Sequence, residues 1–154
     1  MKELKWCFRL KEGLKIVKPN LNLAKSYLEE AKASLKSAEN RLNNKDYLWA
    51  TVILYYAEYY ALYSFLQKIG IKCENHFCSI LAVKFLLGEE KIKVIEEHKD
   101  KRIDAQYYIK IVDEIKIKQM LKQAKIFVSE FDNFVLNLTE VEIANYRKKL
   151  IISK

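Results

Sequence analysis

Between residues 21 and 43 the apolar side chains Leu21, Ala24, Leu28, Ala31, Leu35, Ala38 and Leu42 return at alternating spacings of three and four. That rhythm lays one narrow stripe along an α-helix, and its alanines let a neighbouring helix come close. Pro19 resets the chain ahead of the run, and Asn20 or Asn22 is placed to cap it by accepting from free backbone N–H groups. The same alternation returns over about residues 113–137, through Ile117, Leu121, Ala124, Val128, Phe131 and Val135, and reaches Leu138. Thr139 with Glu142 then spells a capping box that opens a last helix through Leu150.

The stretch from Asp46 to Ile69 reads differently. Asp46 can cap its start, and Gly70 can supply the left-handed stop. On a helical wheel Ala50, Ala57 and Ala61 form a strip of small residues. Trp49, Ile53, Tyr56, Tyr60 and Tyr63 form a second, with Val52, Tyr55 and Tyr59 beside them, and Leu54, Leu62, Phe65 and Leu66 take much of the rest. Between Asp46 and Lys68 the one charge is Glu58. A helix apolar on nearly every side must be surrounded, so one of its faces is expected to meet a second subunit. Glu58 is expected to pair with a lysine, an arginine or a tyrosine hydroxyl, because an isolated buried carboxylate is costly.

Elsewhere the pattern is weaker. Residues 1–18 scatter their apolar positions and read as a short helix or packed arm, and "IKCENHFC" reads as a connector. "SILAVKFLLG" is a short helix ended by Gly88, and "EEKIKVIEEHKDK" is a charged helix with a thin stripe, followed by "RIDAQYY". The fold expected is all-α, an antiparallel up-down bundle of four to five helices in one domain over residues 1–154. Within it, 1–18 is the arm, 19–138 the core bundle and 139–154 the C-terminal helix. Three glycines and one proline leave little material for the turns of an all-β chain. No apolar run reaches the ~18 residues that span a bilayer, and the start "MKELKWCFRLKEG" does not read as a signal peptide. A cytoplasmic protein without a membrane segment is expected.

The formal net charge of +8 favours an anionic partner such as nucleotide or nucleic acid. The charge is spread along the whole chain, and its heavy use of lysine and isoleucine suits an A+T-rich or thermophilic source equally well. Cys7, Cys73 and Cys78 are odd in number and lack a secretory context, so no disulfide framework is expected. Cys73, His76 and Cys78, with Cys7 as a distant fourth, do not fall at a common zinc spacing, so neither metal nor cofactor is expected. His76, at a helix start, suits general acid or base work, or simply packs there. His98, within "EEHKDK", reads as a solvated helix residue. Arg102 can hold phosphate, with Tyr107 or Tyr108 stacking on a base, or it can pair with Asp104. Arg147, Lys148 and Lys149 read as a solvated last turn favoured by the helix dipole.

Four stretches together resemble the HEPN-domain family, in that family's order: "LAKSYLEEAKASLKSAE", "DYLWATVILYYAEYYALYSFLQKIGIK", "ENHF" and "KRIDAQYY". The resemblance covers roughly residues 19–138. It implies a helical bundle that forms a homodimer around a shared cleft, often with a minimal nucleotidyltransferase as partner in a toxin–antitoxin pair. It further implies nucleotide or RNA binding, with His76 as the catalytic candidate and Lys72, Arg102, Asp104, Tyr108, Tyr56 and Tyr60 lining a basic, tyrosine-rich cleft. The family's ribonucleases place an arginine a few residues before their histidine. Here Lys72 is the nearest cation, with only three residues between it and His76, and a lysine lacks the forked donor of a guanidinium. A metal-independent endoribonuclease using His76, or a non-catalytic assembly partner, therefore stand as alternatives.

Overall fold

A computed structural model describes residues 2–154. Its helices are α1 (Lys2–Arg9), α2 (Leu21–Asn43), α3 (Tyr47–Lys68), α4 (His76–Leu87), α5 (Lys93–Tyr108), α6 (Glu114–Leu136) and α7 (Glu140–Ile152). A 3-10 turn, Glu89–Lys91, separates α4 from α5. Two short strands, β1 (Lys15–Ile16) and β2 (Ile71–Lys72), pair antiparallel with Lys15 opposite Lys72. The chain is an all-α bundle. Among the described residues, no helix is long and apolar enough to cross a membrane.

Local chemistry sets the helix boundaries. Asn20 accepts from the Leu23 N–H and Asp46 from the Trp49 N–H, so each satisfies a donor that its helix start leaves free. The Thr139–Glu142 capping box is formed in both directions. Gly70 sits at φ +76°, the left-handed stop beyond α3.

The stripes of α2 and α6 converge on α3. Ala38 and Leu42 meet Ala50 and Leu54 and then Ile117, Leu121 and Ala124 at one end of the bundle. The other end and the middle hold a larger core running from α1 through α4 to Leu150 of α7. Lys32–Asp132 and Lys125–Glu39 ion pairs bridge α2 and α6, which run antiparallel. Lys125–Glu39 is largely exposed and contributes little, whereas Asp132 of the other pair is partly buried.

Three expectations are corrected here. Of the 22 residues of α3, sixteen are buried within a single protomer, because α2, α4, α5 and α6 all pack on it. Its all-round hydrophobicity is therefore met inside one chain and does not by itself require a second subunit. Cys7 and Cys78 are joined by a disulfide across 71 residues, since α1 folds back on α4. Cys73 stays a buried free thiol. Finally, Arg147 is not part of a solvated turn: its guanidinium donates to the carbonyls of Val17, Ile69 and Gly70 at 2.7–2.9 Å. It thereby ties α7 to the crossing of β1 and the end of α3. A Cβ on Gly70 would fall 2.0 Å from that same guanidinium nitrogen.

The small sheet was not anticipated, because two-residue strands carry no periodic signal. It matters for placement, since it anchors the connector that leads into α4.

Candidate functional site

Asn75 caps α4 by accepting from the Cys78 N–H at 3.0 Å, and this puts His76 in the first turn. The imidazole lies flat on the Tyr59 ring, with centroids 3.7 Å apart and planes 9° from parallel. Its Nδ1 is 2.9 Å from the Tyr55 hydroxyl, and the Tyr56 ring stands edge-on at 5.7 Å. Tyr55, Tyr59 and Tyr63 follow one another at single-turn spacing on α3, facing α4 and the connector. The Tyr59 hydroxyl meets Ser79 Oγ at 3.0 Å, and the Tyr63 hydroxyl accepts from the Cys73 N–H at 3.0 Å. Each buried phenol has a polar partner, as such rings need.

Helix α5 brings the charge. Arg102 is 8% exposed, with its guanidinium 4.9 Å from the Tyr55 ring centroid and 6.0 Å from that of Tyr107. One terminal nitrogen donates to Gln106 at 3.2 Å, while buried Nε has no partner among the described residues. Lys99, one turn earlier, holds its ammonium 5.5 Å from the Phe77 ring centroid. Burial pushes the His76 imidazole down from its ordinary value, and the Arg102 and Lys99 charges push it further, to about 4. Lys99 is itself lowered by burial and by Arg102. Tyr55 is raised by burial, and Arg102 beside it offsets part of that rise.

The cluster thus holds a neutral imidazole, a buried guanidinium with an unused donor and a partly desolvated ammonium. Like charges held this close, with water thinned out around them, favour an incoming anion. Planar fork donors such as Arg102 match the oxygens of phosphate.

The other anticipated residues are placed as follows. Lys72 is exposed on β2 and pairs with Glu74 at 2.9 Å. Asp104 is half-buried on α5, and the bonded partner of Arg102 is Gln106, not Asp104. Tyr108 is 67% exposed at the end of α5, beside Ile109, whose φ of 54° is unusual for a β-branched residue. Tyr60 turns toward α2, 5.9 Å from Tyr27, and also lies 6.1 Å from Tyr56. Trp49, Ile53, Tyr56 and Tyr60 line an open groove of about 580 Å³ with Glu30 and Ser37 of α2. Sequence reasoning left Tyr55, Tyr59 and Lys99 out of the site. Tyr55 and Tyr59 were separable from Tyr56 and Tyr60 only by knowing which side of α3 meets α4. Lys99 had one usable signal, its position one turn before Arg102.

A second polar cluster lies deeper. Glu58 pairs with His98, Nδ1 to Oε1 at 2.8 Å, and His98 Nε2 meets Gln123 Oε1 at 3.0 Å. Glu58 is 0% exposed and His98 2%. The partner of Glu58 is thus a histidine rather than a lysine, an arginine or a phenol. His98 is a core residue, not a solvated one, because α6 closes over it. Burial works against an imidazolium at His98, but the Glu58 carboxylate outweighs it and raises the proton affinity. Burial likewise raises Glu58, with His98 opposing. The two effects agree with one proton held between them.

A family model described as HEPN domain matches residues 24–134. No curated protein matches the chain.

Proposed function

Because the chain belongs to the HEPN domain family, we propose that it binds nucleotide or RNA by a phosphate group at the His76–Arg102 cluster, with Lys72, Asp104 and Tyr108 at its margins. It does so as a homodimer, and it acts beside a minimal nucleotidyltransferase partner. The observation that carries this reading is the buried Arg102 side chain, whose Nε lacks a partner among the described residues while its guanidinium acts on the half-buried His76. Leaving a charged donor unsatisfied costs about 1–3 kcal/mol or more, and an anion drawn to the guanidinium offsets part of that cost. The groove of Trp49, Ile53, Tyr56 and Tyr60 supports a subunit contact, since aromatic rings with one polar end are favoured at interfaces.

The test is binding of a nucleoside monophosphate and of a short single-stranded RNA, measured by calorimetry. His76→Ala with Arg102→Ala is expected to weaken both at least tenfold while the helical circular dichroism is kept. Equal affinity in the double variant removes these residues from the site. Light scattering that finds only protomers at high concentration removes the dimer. Affinity purification from the native cell tests the nucleotidyltransferase partner.

A further inference from the structure

The hydrogen bond between Tyr55 and His76 has a direction, and its neighbours set it. Arginine can only donate, and the Arg102 guanidinium, 4.9 Å from the centroid of the Tyr55 ring, offers the buried phenol no acceptor. The phenol proton is left to point at His76 Nδ1, 2.9 Å away. No other acceptor for that proton exists among the described residues. An imidazole that accepts at Nδ1 and is neutral must carry its own proton on Nε2. A half-turn of the ring would put a C–H against the phenol and would also have to take place under the stacked Tyr59 ring. Nε2 makes no bond to the described residues, and the ring is half-buried rather than enclosed.

We infer that Tyr55 is a positioning residue, whose hydroxyl holds His76 as the Nε2–H tautomer so that the site presents a neutral donor to a phosphate oxygen rather than a base to a ribose hydroxyl. This rests on the phosphate-binding reading above and names what the site does with the phosphate: it holds it. Nε2–H, the Arg102 guanidinium and the Lys99 ammonium are all donors. A phosphate oxygen accepts from each of them. A 2′-hydroxyl about to lose its proton finds no acceptor among the three, so a phosphodiester held here is retained and not cut.

The experiment uses the full chain with 15N-labelled histidine and long-range proton–nitrogen correlation at neutral pH. For His76 it should give a protonated Nε2 and a hydrogen-bonded, unprotonated Nδ1, with His98 as an internal reference. A protonated Nδ1 on wild-type His76 overturns the inference. Adenosine monophosphate is then added, with adenosine as the control lacking phosphate. The nucleotide should shift the Nε2–H signal and the nucleoside should not. Tyr55→Phe keeps the ring; it should show mixed tautomers and bind the monophosphate about two- to threefold more weakly, because only part of the population then carries the Nε2 proton. If Tyr55→Phe does not fold, the wild-type spectrum still decides. The expected tautomer with no response to monophosphate or short RNA supports the role of Tyr55 but sinks the nucleotide-binding reading. Cleavage of a short RNA by wild type, lost in His76→Ala, overturns the inference directly.

Discussion

His98 and His76 both lie against α3, and in both burial disfavours the charged ring, yet they hold their protons in opposite ways. At His98 the Glu58 carboxylate, 2.8 Å away, overrides burial and raises the proton affinity. At His76 the nearby charges are Arg102 and Lys99, which add to burial and lower it to about 4. The lesson is that desolvation sets a common starting point and the sign of the neighbouring charge decides the outcome. One histidine completes a closed layer joining α3, α5 and α6. The other is a neutral ring at an opening, beside the like charges of Arg102 and Lys99. The first reads as structure and the second as a site.

The strongest test of this contrast is the disulfide, which braces α4 two residues beyond His76 and is remote in sequence from the α5 and α6 residues around His98. Replacing Cys7 and Cys78 together with serine should cost about 4 kcal/mol in the chain-entropy picture for so long a loop. Urea unfolding measures the loss, and the His76 nitrogen signals should move while those of His98 stay. Equal movement at both rings would erase the separation drawn here.

Next in size is the buried pair. Glu58→Ala strands His98 in the core and should cost about 3 kcal/mol by denaturation. Glu58→Leu combined with His98→Leu should recover most of that, since an apolar pair needs no partner. A double variant as unstable as the single one would mean that the pair does more than fill and satisfy the core.

The pH dependence of stability divides between the two rings. Below pH 6.5 the unfolded chain takes a proton at the position of His76 that the folded chain refuses until about pH 4. Stability should therefore fall as pH drops through that window and level off beneath it, by about 1 kcal/mol once solvent screening is allowed for. His98 has the opposite sign: its contribution is complete below pH 6.5 and fades as pH rises through its raised folded value. Urea midpoints against pH should lose the acid limb in His76→Asn and the alkaline limb in His98→Gln. The smallest effect is expected at Lys72, exposed and paired with Glu74. Lys72→Ala should leave stability within error and weaken monophosphate binding by about twofold at most, as a screened charge at the margin would; a larger loss would bring β2 into the centre of the site.

Much of this was legible along the chain. The stripes of α2 and α6 were readable because each of those helices keeps a wet face, so that burial writes a period of three and four into the residues. Asn20, Asp46 and the Thr139–Glu142 pair were readable because a cap acts within one turn. His76 and Arg102 were singled out from the residues alone, and the fold brings both against Tyr55. On α3 that legibility failed for a physical reason: a helix packed on most sides by its own neighbours shows no preferred face. Nothing in its residues says that Tyr55 and Tyr59 turn to α4, that Tyr60 turns to α2, or that Glu58 turns to α5.

The amino-acid sequence by itself determined the helices, their caps and the all-α class, because those depend on contacts a few residues apart and on the contrast between oil and water along one rod. Only the tertiary structure decided the chemistry. Whether a histidine is charged, whether two cysteines join across 71 residues and whether an arginine faces a phenol or water depend on groups brought together from distant segments. Their electrostatics change with every ångström of approach.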